Sequence, residues 1–207
     1  LGNNLDNLAY AYNSRGWLTS INKNFLAGTP GNYFGMELGY DKSTSVAGAT
    51  YTGLQYNGNI AGTVWKTAGD NVGRKYDFAY DNVNRLSAAT FTQNEGSGFA
   101  TSPTVNFNVS NLQYDANGNI RFMNQMGFKV GGSSTIDQLT YTYQPNSNKL
   151  AKVTDAVSDP TTRLGDFHDG ANGGTDDYSY DGNGNLILDN NKAISSITYN
   201  YLNLPQV

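Results

Sequence analysis

The sequence has no cysteine among its 207 residues and little charge of either sign. The absence of cysteine excludes a disulfide framework, a thiol nucleophile and a cysteine-ligated metal. Lysine and arginine number 13 against 17 acidic residues, for a net charge of -4, and no basic patch is visible. Nucleic-acid binding is therefore not expected. No apolar run approaches the roughly 20 residues of a membrane-spanning helix, so membrane insertion by this chain is not expected either.

Helical periodicity is also lacking, since apolar residues rarely recur at the spacing of an amphipathic helix. What the chain has instead is glycine and aromatic residues: 24 Gly, 15 Tyr and 9 Phe. A chain rich in aromatics and poor in charge is not disordered by composition. Glycine, together with many Asn, Asp, Ser and Thr residues, predicts short strands joined by tight turns, and hence an all-β protein.

A seven-residue pattern recurs along the chain, with tyrosine first and an aliphatic residue last. Asp or Asn follows the tyrosine, and Gly or Asn stands fifth. The clearest copies contain Tyr12, Gly16 and Leu18; Tyr80, Asp81, Asn84 and Leu86; Tyr114, Asp115, Gly118 and Ile120; and Tyr180, Asp181, Gly184 and Leu186. Less regular copies run from Tyr143 to Leu150, from Tyr56 to Ile60, and onward from Tyr201.

Each copy predicts a β-hairpin. A hydrophobic residue two positions before the tyrosine shares its face on a strand, and short β-rich runs follow the aliphatic residue. Asn117-Gly118 and Asn183-Gly184 predict type I′ turns, and the Asp or Asn after the tyrosine can cap the turn. The last copy is expected to lack its return strand. We therefore expect one repeat region over residues 1–207, part of a larger chain, with exposed sheet edges that could pair with a second copy.

The stretch from Tyr178 to Asn191 raises the question of a calcium loop. Counted from Asp181, an EF-hand loop needs Gly at position 6 and Glu at position 12, but Leu186 and Lys192 stand there, which favours a hairpin. A weaker metal hypothesis is a calcium site in the acidic region before it, against the alternative of a solvated loop. Its candidate ligands are Asp166, Asp169, Asp176 and Asp177.

No catalytic machinery is predicted. His168 is the only histidine and lies in a Gly-rich, acidic region typical of a surface loop, and there is no Gly-x-Ser-x-Gly elbow. No cofactor is expected. The aromatic residues carry one further hypothesis, because Trp17 and Trp65 could stack on glycans. The alternative is that such rings pack across strands and build the sheet.

The repeated Tyr-Asp-x-x-Gly-Asn-Leu/Ile pattern resembles the YD repeats of the Rhs family, which also occur in teneurins and Tc toxins. The segments Tyr114 to Ile120 and Tyr180 to Leu186 carry the likeness most clearly. The resemblance implies β-hairpins associated side by side in a curved, spiralling sheet. In Rhs and Tc proteins this sheet is a shell around a C-terminal toxin.

The family is exported or displayed at the cell surface, so the resemblance also implies an extracellular location. Its self-cleaving carboxylates follow the repeats, so no catalytic residue is transferred to this chain. The first functional expectation is a non-catalytic segment of such a shell, whose partner is the rest of its own chain. The alternative is a carbohydrate-binding or adhesion module that uses its aromatic faces.

Overall fold

The computed structural model describes residues 5–157, 165–170 and 175–206. Contacts divide the chain into two compact units, Leu1–Asn108 and Val109–Val207. The strand pairings within each unit are antiparallel. The predicted all-β class built from antiparallel hairpins is therefore confirmed. The spiralling arrangement and the single repeat region stay predictions.

The first unit contains a sheet in which neighbours along the chain are also neighbours in space. Its order is β1-β2-β3-β4-β5-β6, with the short β7 paired to β6. The elements are β1 Tyr10–Tyr12, β2 Leu18–Ile21, α1 Lys23–Leu26, β3 Phe34–Gly39, β4 Gly62–Thr67, β5 Gly73–Tyr80, β6 Leu86–Asn94 and β7 Phe99–Ala100. Three hairpins, β1/β2, β3/β4 and β5/β6, thus lie side by side. None of the described helices has the length and apolar character to cross a membrane.

The second unit continues with hairpins. Strands β8 to β11 pair in chain order, and two further hairpins, β12/β13 and β14/β15, form two-stranded sheets. A short 3₁₀ helix, Asn190–Lys192, follows β13. The strands are β8 Val109–Tyr114, β9 Ile120–Lys129, β10 Gly132–Tyr143, β11 Leu150–Asp155, β12 Tyr178–Tyr180, β13 Leu186–Asp189, β14 Thr198–Tyr199 and β15 Pro205–Gln206.

Two sequence predictions about the hairpins are wrong. The copy placed at Tyr56 does not begin a hairpin, because Tyr56 lies in the long connection 40–61 between β3 and β4 and is 68% exposed. The last copy begins at Tyr199, two residues before the predicted Tyr201. Its return strand is also present, with Tyr199 opposite Pro205. In both cases the turn geometry, rather than the tyrosine alone, decides which residue begins the pattern.

One face of the first unit's sheet is covered by α1 and the connection 40–61. Their apolar residues pack on β4 in a buried cluster. Polar side chains of the sheet hold the connection in place: the Glu37 carboxylate accepts from the Val46 N–H at 2.8 Å, and the Lys75 ammonium donates to the Thr50 carbonyl at 2.7 Å. The cluster consists of Leu26, Ala49, Tyr51, Ala61 and Val64.

Tyr51 lies directly over two glycines of the sheet. A Cβ atom on Gly39 would come within 2.5 Å of the Tyr51 ring, and one on Gly62 within 2.7 Å. Real Cβ atoms do not approach an aromatic ring so closely, so a side chain at either position would displace Tyr51. The two glycines therefore create the space in which the connection packs.

We predict that Gly39→Ala lowers the free energy of unfolding by about 1–3 kcal/mol, because the added methyl group overpacks the Tyr51 site. Urea unfolding followed by tryptophan fluorescence measures it, since both tryptophans, Trp17 and Trp65, lie in the first unit. Gly69→Ala is the control, because only one atom lies near its added Cβ, at an ordinary 3.9 Å. Equal effects of the two substitutions would contradict the packing argument.

Candidate functional site: the hairpin turns and an acidic cluster

The structure places the repeated residues at equivalent positions of successive hairpins. The motif tyrosine ends or directly follows the incoming strand, and in the seven-residue copies and the Tyr143 copy the aliphatic residue opens the return strand. The two residues lie opposite each other, and the register shifts by one residue just before the tyrosine. The opposed pairs are Tyr12 and Leu18, Tyr80 and Leu86, Tyr114 and Ile120, Tyr143 and Leu150, and Tyr180 and Leu186.

The residue after the tyrosine organises the turn through its side chain. The Oδ1 atom of Asp181 accepts from the N–H groups of Asn183 at 2.9 Å and Asn185 at 2.8 Å. Its Oδ2 atom accepts from the Asn185 side chain at 2.9 Å. One carboxylate thus satisfies two backbone donors that the turn leaves without partners. The same two backbone bonds are made by Asn13, Asp81, Asp115 and Asn200.

The turn is not of the predicted type I′. Gly184 has a φ of +88°, but Asn183 is not among the residues with positive φ. The Gly184 N–H donates to the Asp181 carbonyl at 3.1 Å, which closes a type I turn followed by one left-handed residue. Asn117-Gly118 behaves in the same way. The prediction failed because two N–H groups converge on the Asp carboxylate, and this favours right-handed central residues.

The motif carboxylates are therefore occupied by protein donors and are not arranged as ligands of an ion. The side-chain amide of Asn185 and the nearby backbone N–H groups lower the pKa of Asp181. The pKa of Asp115 is lowered in the same way, first by Asn119. These hydrogen bonds favour the charged form without a metal. The structure thus agrees with the choice of a hairpin over a calcium loop at Asp181.

A phenol hydrogen bond links each of five hairpins to the hairpin before it. The hydroxyl of Tyr80 donates to the Ile60 carbonyl oxygen at 2.8 Å, and that of Tyr143 to the Ile120 carbonyl at 2.8 Å. In each case the acceptor lies at the aliphatic position of the preceding hairpin. The other three bonds run from Tyr40 to Leu18, from Tyr180 to Leu150 and from Tyr199 to Leu186. We refer to these five bonds as the tyrosine ladder.

Asparagine side chains form a second set of links at the turns. The Oδ1 atom of Asn148 accepts from the side-chain amides of Asn117 at 3.0 Å and Asn119 at 2.8 Å, both in the preceding turn. Asn203 accepts from Asn183 and Asn185 in the same manner. Sequence reasoning missed both sets of links. The sequence signal for these links was that Tyr, rather than Phe, recurs at the first position of the pattern, and that Asn recurs near the turns.

The two tryptophans proposed for glycan contact are packed against the protein. The ring of Trp17 lies 5.2 Å from that of Tyr40 and has the Arg15 guanidinium 5.0 Å away. The ring of Trp65 stacks on Tyr76 at 5.6 Å and also contacts Phe91. Both indoles are half-buried. The arrangement favours the cross-strand packing alternative for these residues.

The four acidic candidates are separated by the fold. Asp177 is fully buried and accepts from the Val153 N–H at 2.8 Å and the Asn191 side chain at 3.0 Å, which is a structural role. Asp176 is exposed and Asp169 half-buried. Asp166 alone joins a group of carboxylates, with Asp137 and Asp155, which sequence reasoning did not select. We call these three residues the acidic cluster.

His168 lies beside this cluster. Its Nδ1 atom is 3.3 Å from Asp166 Oδ2. Burial, the largest influence, raises the pKa of Asp137, and repulsion from Asp155 and Asp166 raises it further. The cluster was hidden in the sequence because its members come from two strands and a later segment. Asp155 ends β11, whereas Asp137 lies inside β10 and Asp166 lies outside the strands, so no shared sequence position marks the three residues.

We predict that Tyr143→Phe lowers the free energy of unfolding by about 1 kcal/mol, because the Ile120 carbonyl loses its phenol donor. Urea unfolding followed by circular dichroism provides the measurement. Tyr201→Phe removes a hydroxyl from a side chain that is 92% exposed and serves as the matched control. A Tyr143 variant as stable as this control would show that the bond contributes nothing.

A second prediction concerns alkaline pH. Burial raises the pKa values of Tyr80, Tyr143 and Tyr180 above the ordinary value. Their contribution to stability is complete below about pH 10, the pKa of tyrosine in the unfolded chain, and is lost as pH rises through the higher folded values. Unfolding midpoints in urea should be steady from about pH 8 to 9.5 and fall above about pH 10. Exposed tyrosines such as Tyr201 ionise in the folded chain, but the remaining tyrosinate absorbance should appear together with unfolding. Ionisation of all the tyrosines in a fully folded chain would refute the prediction.

The residues themselves carry the likeness to YD repeats. No protein-family model matches the chain, and no curated protein matches it in sequence. The functional argument therefore rests on the geometry described above: the capped turns, the tyrosine ladder and the acidic cluster.

Proposed function

We propose that this chain is a non-catalytic structural segment of a larger secreted or surface-displayed protein. In this proposal its hairpins form part of a β-shell wall around a C-terminal toxin domain. The observation that carries the proposal is the tyrosine ladder, in which a hairpin donates to the hairpin before it and accepts from the one after it. Such a link can be repeated without limit, which suits a wall better than a closed binding domain.

The outer strand β1 supports the same proposal. Tyr12 occupies the ladder position of its hairpin and is 61% exposed, and Tyr10 on the same face is 52% exposed. A further hairpin of the same kind beside β1 would cover both rings and offer Tyr12 a carbonyl acceptor. The partner proposed for this edge is therefore another repeat of the same protein.

The chemistry of the motif also favours a structural role. General acid or base catalysis needs a carboxylate whose pKa lies near the working pH. The pKa values of Asp81, Asp115 and Asp181 are instead lowered by hydrogen bonds within their own turns. These groups are held charged and saturated, which suits a cap and not a catalyst.

The proposal is tested in the full-length protein that carries this segment. Limited proteolysis should leave its C-terminal domain intact, while the same domain produced alone should be cut rapidly. Combined replacement of Tyr143, Tyr180 and Tyr199 by Phe should make the C-terminal domain accessible, because three ladder bonds are lost. The Tyr201→Phe protein should remain protected. Equal cleavage of the domain alone and within the full-length protein would overturn the proposal.

The adhesion alternative gives a different result. A glycan array probed with the present chain should show no specific binding if the chain is purely a scaffold. Binding to defined glycans that is abolished by Trp17→Ala or Trp65→Ala would instead support the carbohydrate-binding module. Unfolding curves of the two variants should be recorded alongside, since both rings pack against neighbours.

A further inference from the structure

The turns of neighbouring hairpins meet in one of two ways, and the residue two positions before the aliphatic one marks which. We call it the receiving residue of its hairpin. In three junctions it is an asparagine, whose Oδ1 atom accepts from side-chain amides of the preceding turn. Asn84 accepts from Asn57 at 2.7 Å and from Asn59 at 3.3 Å. The other two are Asn148 and Asn203, whose bonds are given above.

In two other junctions the receiving residue is a glycine, and a bulky side chain of the preceding turn lies over it. The Trp17 indole lies so close to Gly58 that a Cβ atom there would be 3.1 Å from the ring. The Lys149 side chain lies over Gly184, with its Cε atom 3.7 Å from the position of such a Cβ. Glycine leaves room for the bulky group, whereas an asparagine would fill that room and need amide donors.

The side chains that meet the receiving residue also occupy one position of the pattern. Each junction is met from the residue directly before the aliphatic one of the preceding hairpin, which we call the presenting residue. In chain order the presenting residues are Trp17, Asn59, Asn119, Lys149 and Asn185. The five junctions within the two units therefore follow one rule. An asparagine presents to an asparagine, and a bulky side chain presents to a glycine.

The same rule can be applied to the first and the last hairpin. None of the described strands pairs with the outer side of β1 or of β15. The receiving residue of the first hairpin is Gly16, and none of the described atoms lies within 4 Å of a Cβ placed there. The last hairpin presents Leu204, which is 55% exposed, and beside it Leu202, which is 60% exposed. Leucine is bulky and has no amide, so the rule matches Leu204 to a glycine such as Gly16.

The tyrosine ladder matches at the same two ends. Pro205 stands at the aliphatic position of the last hairpin, so its carbonyl corresponds to that of Leu186, which accepts from Tyr199. The ladder needs only a carbonyl there, and a proline supplies one although it has no N–H. Tyr12 holds the donor position of the first hairpin and is exposed. A junction of these two hairpins would thus have a ladder bond and a bulky side chain over a glycine.

We propose that the last hairpin of one chain binds the first hairpin of a second copy, head to tail. Tyr12 of one copy donates to the Pro205 carbonyl of the other, and Leu204 packs over Gly16. Covering the exposed leucines and tyrosines removes apolar surface from water and drives the association. The two surfaces differ, so each bound copy keeps an open end for a further one. The association is a property of the free chain, and it is tested apart from the proteolysis of the full-length protein.

Sedimentation velocity of the chain tests the association. From about 10 μM to 1 mM chain, the range of weak interfaces, the mean mass should rise with concentration. Gly16→Asn should weaken the association at least about tenfold, because its side chain takes the space of Leu204 and finds no amide donor. The backbone should accept it, since Asn84 has a positive φ at the same position of the pattern. Gly48→Asn is the matched control: Gly48 has the same φ of +78° and equally open surroundings, but lies in the connection 40–61. It should associate like the wild type.

A mixing experiment tests the pairing rule itself. A chain with Leu202→Asn and Leu204→Asn, both at exposed positions, should also associate poorly alone, because its amides face a glycine. Mixed with the Gly16→Asn chain, it should recover most of the wild-type association. One junction then joins two unaltered surfaces, and the other joins amides to an asparagine, as at Asn203. Three results would overturn the proposal: a wild-type chain that is monomeric throughout, a Gly16 variant that associates like the wild type, or a mixture that associates no better than its components.

Discussion

Each hairpin of the tyrosine ladder depends on its neighbour for a hydrogen-bond donor. The carbonyl at the aliphatic position of one hairpin is met by the phenol of the next, as when Tyr180 donates to the Leu150 carbonyl at 3.0 Å. A phenylalanine would fill the same volume but leave that carbonyl without its partner. The tyrosine therefore fixes both the packing of its ring and the sideways register of two hairpins. This double requirement accounts for its recurrence at one position of the pattern.

The turn holds its own shape, so the tyrosine hydroxyl is available for the hydrogen bond to the neighbouring hairpin. Because the Asp181 side chain accepts from the backbone at Asn183 and Asn185, the turn needs no help from a neighbour and has a fixed length. With the length fixed, the one-residue shift in register before Tyr180 is fixed too. The tyrosine ring therefore has the same position relative to the turn in every regular copy. Local capping thus prepares the long-range bond, and the amide links from Asn183 and Asn185 to Asn203 reinforce the same alignment.

Sequence reasoning could predict the hairpins because their signals are local. Tyrosine, cap, left-handed residue and aliphatic residue all lie within seven positions, and Gly16 and Asn84 do have positive φ. It could not identify the hairpin joined by the long connection 40–61, since Tyr40 and Ile60 are far apart in sequence. It also misassigned the last copy to Tyr201, because Tyr199 and Tyr201 satisfy the aromatic pattern equally well. Only the cap of Asn200 and the left-handed Asn203 distinguish them.

The acidic residues show the limit of such reasoning most clearly. Asp177 and Asp166 lie in the same acidic stretch, but one receives two donors and the other lies beside two carboxylates. Their roles differ because the strands opposite them differ: Val153 presents an N–H group, whereas Asp137 and Asp155 present negative charge. A carboxylate becomes a cap or a member of an acidic cluster according to what the adjacent strands present to it. The local sequence does not show which role a carboxylate takes, because the pairing of β10 with β11 decides which groups lie near it.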